Sequence, residues 1–325
     1  MEKIIIIQSA FIGDAILVSG LVETVRKQKP KAEIHLLLRK GNEGLYKDHP
    51  YLTKVWIWDK KRKYASLLSL VAKIRKERFD WLFCVQRFGS MGLLSSLSKA
   101  KYKVGFAKNP WSKFFTYKID HNIGDGTHEI ERNTKLLEPW LGKDLKAEKP
   151  KLCLMPGDYN RAAVYRKKEY LCMFPSSVWF TKQLPKEKWV ELCKQYSNYP
   201  IYLMGAPGDA ALAEEIKALT GLDNIEILCG KLSLNESAAL MQDATMNFVN
   251  DSAPLHLASA TNSKVKAFFC STVSSFGFGP LADDAEIIEN TNKLDCRPCG
   301  LHGKKSCPLG HFKCGFDIDI SKIQI

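Results

Sequence analysis

Two segments far apart in the chain share one pattern: an apolar run, a polar turn and the beginning of an amphipathic helix. The first covers residues 4–14 and the second covers residues 246–256. In α/β proteins, a helix that follows a strand in this way binds anionic ligands at its N-terminus, because unpaired backbone N–H groups and the helix dipole point there. The pattern therefore predicts an α/β fold with two units, each carrying a ligand-binding turn.

Strand-like and helix-like stretches alternate through both halves of the chain. In the first half the predicted strands are residues 4–7, 33–38, 54–58 and 81–85, and the predicted helices are residues 14–27, 66–76, 92–97 and 128–138. In the second half the predicted strands are residues 170–174, 201–204, 225–228, 246–249 and 265–269, and the predicted helices are residues 186–195, 209–219, 234–243 and 254–260. This alternation favours doubly wound parallel sheets with ligands at the carboxyl ends of the strands. Residues 143–156 are charged and contain two prolines, which is typical of a linker, so we expect domains at residues 1–152 and 153–325.

The positive charge of the chain is confined to its first half. Residues 1–150 contain 29 lysines and arginines against 16 aspartates and glutamates, whereas residues 151–325 contain 19 of each kind, so the first half holds the whole net charge of +13. Such an excess favours an anionic partner: nucleic acid, an anionic membrane surface or a phosphorylated glycolipid. A merely solvated basic surface is the alternative.

No apolar run approaches the roughly 20 residues that span a bilayer. The apolar run after Met1 is short and lacks the cleavage site of a signal peptide, so we expect a cytoplasmic protein.

The segment around residue 251 provides the first candidate ligand-binding residues. Asp251 and Ser252, followed by Ala253 and a proline, are typical of a helix start, and His256 falls in the first turn. Capping and a buried core histidine explain these residues without any function. Their combination with a second polar turn, which contains Ser176, Ser177 and Lys182, predicts a site for a diphosphate.

Two carboxylates can likewise be interpreted either as structural or as functional residues. Asp14 lies at the start of the first predicted helix, where a carboxylate is favoured electrostatically, and it could also serve as a general base. Asp209 follows a glycine-containing turn that lacks the spacing of a dinucleotide fingerprint. It could accept hydrogen bonds from a ribose or cap the next helix.

Two further segments leave alternatives open. Residues 101–119 interleave lysines with aromatic residues, a composition that suits a membrane interface, single-stranded nucleic acid or a half-buried β segment. The C-terminal tail contains Cys296, Cys299, Cys307 and Cys314, which could bind zinc or simply pack as thiols. The other six cysteines lie mostly among apolar residues, and a cytoplasmic location argues against a disulfide framework.

Six short motifs, taken in their order along the chain, resemble the lipopolysaccharide heptosyltransferase family. They are Ser9-x-x-x-Gly13-Asp14, Gln86-Arg87-x-Gly89-Ser90, His128-Glu129-x-Glu131-Arg132-Asn133, Pro175-Ser176-Ser177 with Lys182, Gly230-Lys231-Leu232-Ser233-Leu234, and Asn250-Asp251-Ser252-Ala253-Pro254-Leu255-His256. The resemblance implies a GT-B fold, in which two Rossmann-like doubly wound domains face a central cleft. It also implies ADP-heptose as the donor and inversion at the anomeric carbon, with no cofactor and no metal.

The resemblance also assigns roles by position. Asp14 would be the base that activates the acceptor hydroxyl, and Lys182 would act catalytically on the donor diphosphate. The remaining donor-binding residues would be Ser176, Ser177, Asp209 at the ribose, Leu232 at the base, Asp251, Ser252, Ala253 and His256. Arg87 and Arg132 would lie on the acceptor side.

This chain departs from the family pattern at three places. Ala253 stands where the family has glycine, Leu184 stands where tryptophan is common, and residues 270–274 lack the aspartate of the family's Gly-Pro-Thr-Asp-Pro.

The sequence therefore predicts an inverting glycosyltransferase that moves a heptose or related sugar to a phosphorylated, lipid-linked inner-core saccharide. We expect it to be a cytoplasmic protein, peripheral at the inner face of the inner membrane, and we do not expect nucleic acid to be its partner. A GT-B transferase that uses another nucleotide sugar, and a non-catalytic glycan- or nucleic-acid-binding protein of the same fold, are the alternatives.

Overall fold

The computed structural model describes residues 1–325, and it divides into two compact units, Met1–Cys153 and Leu154–Ile325. The division lies one residue from the predicted domain boundary. None of the helices combines the length and the apolar composition that crossing a bilayer requires.

The first unit contains six strands and five helices. The strands are β1 (Lys3–Gln8), β2 (Glu33–Arg39), β3 (Leu52–Trp58), β4 (Trp81–Cys84), β5 (Tyr102–Phe106) and β6 (Tyr117–Ile119). The helices are α1 (Ile12–Gln28), α2 (Lys63–Glu77), α3 (Gly89–Leu97), α4 (Glu129–Thr134) and α5 (Glu138–Leu141). The strands form one parallel sheet in the order β3-β2-β1-β4-β5-β6. Ile4–Ile7 of β1 are fully buried, as expected for a central strand that helices cover on both faces.

The second unit repeats this architecture. Its strands are β7 (Leu171–Phe174), β8 (Ile201–Leu203), β9 (Ile225–Ile227), β10 (Met246–Asn250), β11 (Val265–Phe269) and β12 (Ala285–Glu289). Its helices are α6 (Pro156–Ala163), α7 (Lys186–Gln195), α8 (Ala210–Thr220), α9 (Leu234–Gln242), α10 (Ala253–Thr261) and α11 (Lys313–Phe316). The sheet is again parallel, in the order β12-β11-β10-β7-β8-β9. Its core contains Trp189, whose ring meets that of Phe268 edge to face with centroids 5.3 Å apart.

In each sheet the first strand along the chain lies in the middle. The next two strands pair on one side of it, and the last three strands pair on the other side. The connections therefore reverse between β1 and β4 in the first unit, and between β7 and β10 in the second. This is the order of doubly wound sheets, and the prediction of two Rossmann-like units is confirmed. In such sheets ligands bind beside the carboxyl ends of the two strands at the reversal.

The structure corrects three local predictions. The helix predicted for residues 128–138 is split into α4, a 3₁₀ turn over Lys135–Leu137 and α5. The split occurs beside Pro139, which has no backbone N–H and would break a hydrogen bond in the interior of a helix. Proline is tolerated in the first turn, and Pro139 accordingly lies in the first turn of α5. The linker was predicted to include residue 156, but Pro156 is already the first residue of α6, so the prediction is one residue too long. The strand β12 was not predicted; it is a five-residue strand at the edge of the sheet, and two of its residues are glutamates.

The lysine- and aromatic-rich segment 101–119 forms β5 and β6 at one edge of the first sheet. Lysines of this segment lie over neighbouring rings, with Lys101 Nζ and Lys113 Nζ each 5.1 Å from the ring centroids of Tyr102 and Phe114. Of the three interpretations left open, the half-buried β segment describes its conformation.

Candidate active site

In the second unit, one buried side chain connects the loops at the reversal between β7 and β10. The carboxamide nitrogen of Asn250 donates hydrogen bonds to the backbone oxygens of Phe174 (3.2 Å) and Pro175 (2.9 Å). Its oxygen accepts the backbone N–H of Leu184 at 2.9 Å. Asn250 therefore fixes the loop that carries Ser176 and the turn that carries Lys182 relative to the end of β10.

Lys182 and Asp251 form an ion pair at this reversal. Lys182 Nζ lies 2.8 Å from Asp251 Oδ2, and the hydroxyl of Thr272 donates to the same oxygen at 2.6 Å. Asp251 is 5% exposed, whereas the Lys182 side chain is 16% exposed. The lysine ammonium is thus held by Asp251, which Thr272 orients in turn, and part of the Lys182 side chain remains exposed.

Asp209 uses both of its carboxylate oxygens within the protein. Oδ1 accepts the hydroxyl of Ser176 at 2.6 Å, and Oδ2 accepts the backbone N–H of Ala206 at 2.7 Å. Gly205 leaves room for this contact, since a Cβ there would lie 2.7 Å from Asp209 Oδ2. The Asp209 carboxylate thus closes the turn over Pro207–Asp209 and orients the Ser176 hydroxyl, whereas α8, the helix that follows, receives no cap bond from this side chain.

Most of the other predicted donor residues lie in or next to these loops, and they differ in how far their side chains are buried. Ser252 is the extended residue before α10, and Ala253 begins that helix. His256 is buried in the first turn of α10. Ser177 is half-buried, and its backbone oxygen accepts the Gln183 carboxamide. The half-buried residue Leu232 lies outside this group, just before the N-terminal cap of α9.

In the first unit, Asp14 is the third residue of α1, directly after β1, and it is half-buried. Burial, and secondarily the nearby charge of Glu129, raise the pKa of its carboxyl to about 6. A backbone hydrogen bond from Phe11 and the charge of Arg87 lower the pKa of Asp14 but do not offset burial. The carboxyl therefore changes its protonation state close to neutral pH, as an efficient general base requires.

The two predicted acceptor arginines differ in their surroundings. Arg87 follows β4 and is half-buried, with no hydrogen bond or ion pair of its own. Arg132 is 1% exposed, and its Nε lies 2.8 Å from Glu129 Oε2. His121 Nε2 lies 3.2 Å from the same Glu129 oxygen. This arrangement makes Arg87 available to a ligand and commits Arg132 to Glu129.

The carboxylate of Glu129 remains ionised inside this cluster. Burial opposes its ionisation, but the hydrogen bonds and charges of His121 and Arg132 outweigh burial and hold the pKa of Glu129 below its ordinary value. Glu129 therefore presents a negative charge to Asp14, and Arg132 influences Asp14 through Glu129.

The tail cysteines are free thiols, as are the other six. No three histidine, cysteine, aspartate or glutamate side chains are arranged to hold a metal ion. The four tail thiols do lie near one another: the pKa of Cys314 is raised to about 11, mainly by burial and secondarily by Cys299, Cys307 and Cys296. The structure thus shows a group of neighbouring thiols without metal-site geometry.

Sequence reasoning missed several residues that organise these sites. Thr272 lies in the loop that departs from the family pattern, and only the structure shows that it contacts Asp251. Asn250 stands in the quoted motif but was given no role of its own. Glu129, in the third motif, also had no predicted role. The signal available in the sequence was an acidic residue a few positions away from His121 and Arg132, the two residues that it contacts in the structure.

Comparison with known proteins decides the family. Residues 67–309 match the model of glycosyltransferase family 9 (heptosyltransferase). The chain belongs to this family. Lipopolysaccharide heptosyltransferase 1 of Campylobacter coli is 26% identical to the family 9 enzyme described here, over 90% of this chain and 92% of that protein. The predicted family and the predicted enzyme class are confirmed. At the level of the family, the activity is heptose transfer in lipopolysaccharide synthesis.

Two solved structures from Escherichia coli show the same fold. ADP-heptose lipopolysaccharide heptosyltransferase II superimposes with a TM-score of 0.76 at 19% identity, covering 92% of this chain and 96% of that one. Heptosyltransferase WaaC, solved with ADP, superimposes with a TM-score of 0.73 at 17% identity, covering 88% and 92%. These matches confirm the predicted GT-B fold of the family 9 enzyme.

Proposed function

We propose that this enzyme transfers a heptose from ADP-heptose to a phosphorylated, lipid-linked inner-core saccharide, with inversion at the anomeric carbon. The observation that carries the proposal is the partly exposed Lys182 side chain, whose ammonium pairs with Asp251 beside the strand reversal of the second sheet, while Thr272 orients that carboxylate. A diphosphate is the ligand that best matches a cation at this position. ADP, which accompanies WaaC in its crystal structure, contains such a group.

In this proposal Lys182 stabilises the leaving group. Negative charge grows on the β-phosphate as the bond to the sugar breaks, and a fixed ammonium nearby lowers the energy of that state. Ser176, Ser177, Ser252 and Ala253 contribute hydroxyls and backbone N–H groups around the phosphates. The other donor contacts, which complete the proposed site, are Asp209 with the ribose, Leu232 with the base, and Asp251 and His256 with the phosphates and the sugar.

Asp14 acts as the general base in the proposed reaction. The acceptor hydroxyl oxygen attacks the anomeric carbon from the side opposite the diphosphate. Its proton passes to the Asp14 carboxylate, and the bond from the anomeric carbon to the phosphate oxygen breaks with both electrons leaving on ADP. One C–O bond forms while one breaks, which inverts the anomeric centre. The raised pKa of Asp14, about 6, supports this role, since the carboxylate is ionised and basic at neutral pH.

We further propose that the first unit binds the anionic acceptor at an anionic membrane surface. The unit carries the entire positive excess of the chain, and the half-buried Arg87 lies close enough to Asp14 to lower the pKa of that carboxyl. Phe11 and Phe88, which flank Asp14 and Arg87 in the sequence, are 60% and 67% exposed. Exposed rings beside basic residues suit a membrane interface, so we place the enzyme peripherally at the inner face of the inner membrane.

A thermal-shift experiment with nucleotides tests the donor assignment. A ligand that binds only the native state raises the melting temperature, so ADP and ADP-heptose should stabilise the enzyme, whereas UDP and GDP should not. A transfer assay with ADP-heptose and a heptose-deficient lipooligosaccharide acceptor then tests the reaction. Stabilisation by a uridine or guanosine nucleotide alone, with no transfer from ADP-heptose, would refute the proposed donor.

A further inference from the structure

The Cys-rich tail makes close contact with the turn that carries Lys182. The backbone N–H of Lys304 donates to Thr181 Oγ1 at 2.8 Å, and the backbone N–H of Thr181 donates to the oxygen of Lys304 at 3.1 Å. Thr181 is 1% exposed, so both hydrogen bonds are shielded from water. Two reciprocal bonds between adjacent chain segments fix their separation, and they place Gly303 directly beside Lys182.

Gly303 allows this approach because it has no side chain. A Cβ at this position would lie 2.9 Å from Lys182 Cγ and 3.0 Å from Thr181 Oγ1. The residue also has a φ of +74°, a conformation that side chains disfavour. Both properties make glycine the residue that lets the tail pack against the stem of Lys182.

The tail is anchored equally to the loop that carries Thr272. Arg297 Nη2 donates to the backbone oxygen of Thr272 at 2.8 Å, and the backbone N–H of Cys299 donates to the oxygen of Ser271 at 2.9 Å. The hydroxyl of Ser271 in turn donates to Thr181 Oγ1 at 2.9 Å. Residues 297–304 therefore connect the two loops whose side chains meet at Asp251.

We infer that tail residues 297–304 are a positioning element of the donor site, which holds the Lys182 ammonium against Asp251 through Gly303 and the bonds to Thr181. The inference rests on the proposed role of Lys182 at the donor diphosphate. It gives the tail a function that requires neither a metal nor a disulfide.

A pair of matched glycine variants tests the inference. Gly303→Ala places a methyl group against Lys182, whereas Gly310→Ala, with a nearly identical φ of +73°, meets no heavy atom within 4 Å. Both variants place a side chain at nearly the same positive φ, so a difference between them reports the contact of the added methyl group with the turn that carries Thr181 and Lys182. Gly303→Ala should weaken ADP binding about tenfold in calorimetry, as expected when a contact to a charged group is lost, and Gly310→Ala should bind like the wild type.

A second measurement follows Lys182 without any donor. Amine acylation detected by mass spectrometry should modify Lys182 faster in Gly303→Ala than in Gly310→Ala, because the ion pair with Asp251 is weakened. Combining Gly303→Ala with Lys182→Ala should weaken ADP binding no more than Lys182→Ala alone, since contacting residues are not additive. If Gly303→Ala does not fold, Thr181→Val removes the hydroxyl that accepts the Lys304 N–H and should produce the same changes.

The outcomes separate this inference from the donor assignment. Equal acylation of Lys182 and equal ADP affinity in the two glycine variants would overturn the positioning role. If the wild type binds no ADP, the proposed donor is wrong, and the acylation rates alone decide whether the tail positions Lys182.

Discussion

Replacing Asp14 by asparagine should abolish transfer and at the same time stabilise the fold above neutral pH. The carboxyl has a pKa of about 6 in the folded chain, against 3.8 for an isolated aspartate. Folding therefore favours the protonated form. Keeping the ionised form in the folded chain costs about 3 kcal/mol, since one pKa unit corresponds to about 1.4 kcal/mol. Asparagine retains an oxygen for the Phe11 N–H and removes the charge.

The sign of this effect gives it a distinct pH dependence. At about pH 3, well below the unfolded pKa of 3.8, the carboxyl is protonated in both the folded and the unfolded chain, so it does not alter the free energy of unfolding. As the pH rises through about 6, the wild type loses the stability associated with protonation and the variant does not. Urea denaturation of both proteins between about pH 3 and pH 8 should give coincident free energies at the acidic end and a gap approaching about 3 kcal/mol at the alkaline end.

Asp158 provides a matched control within the same chain. It is the third residue of α6, and its carboxylate accepts the backbone N–H of Met155 at 2.8 Å, much as Asp14 accepts that of Phe11. Asp158→Asn should leave transfer intact. If Asp14→Asn instead destabilises the fold at every pH and retains transfer per folded molecule, the general-base assignment is wrong.

Further changes test the rest of the site. Arg87→Met should shift the midpoint of the pH–rate profile upward from about 6, because the charge of Arg87 lowers the pKa of Asp14; the same change at an exposed arginine of α2 should leave the midpoint in place. Lys182→Ala should lower turnover at saturating donor by at least about tenfold, corresponding to about 1.4 kcal/mol of transition-state stabilisation, and unchanged turnover would remove Lys182 from the reaction. Thr272→Val should raise the KM for the donor about fivefold through the loss of one hydrogen bond to Asp251, and steady-state kinetics with varied donor measure this directly. Enzyme purified without chelators should contain no stoichiometric metal by elemental analysis, since the tail thiols are not arranged as ligands; one equivalent of zinc, with destabilisation on chelation, would contradict this.

The regular elements could be predicted because their signals are local. β11 and α7 have the predicted bounds, since an apolar run and a 3.6-residue periodicity are each encoded within a few neighbouring residues. The starts of α1 and α10 could be predicted in the same way, from a polar turn that follows an apolar run. The short edge strand β12 escaped prediction because it lacks a continuous apolar run and is stabilised by pairing with β11.

The functional contacts were harder to predict because they join distant positions. Thr272 and Asp251 are 21 residues apart, and Thr181 and Lys304 are 123 apart. No periodic pattern in the sequence indicates such a contact, because it depends on how several loops pack after the sheet has formed. The raised pKa of Asp14 has the same origin, because burial and the charge of Glu129 exist only in the folded unit.

The exclusively parallel pairing of both sheets has a consequence for how the chain folds. Parallel neighbours cannot be joined by a tight hairpin, so every pairing must close a long loop first: Lys3 pairs with Glu33, and Ile4 with Trp81. Loop closure of this kind makes folding slow and leaves strand edges unpaired for longer. During synthesis, residues 1–153 emerge before any of the second sheet, so the basic unit can complete its pairings first. Slower translation or lower temperature during overproduction should therefore increase the yield of folded enzyme.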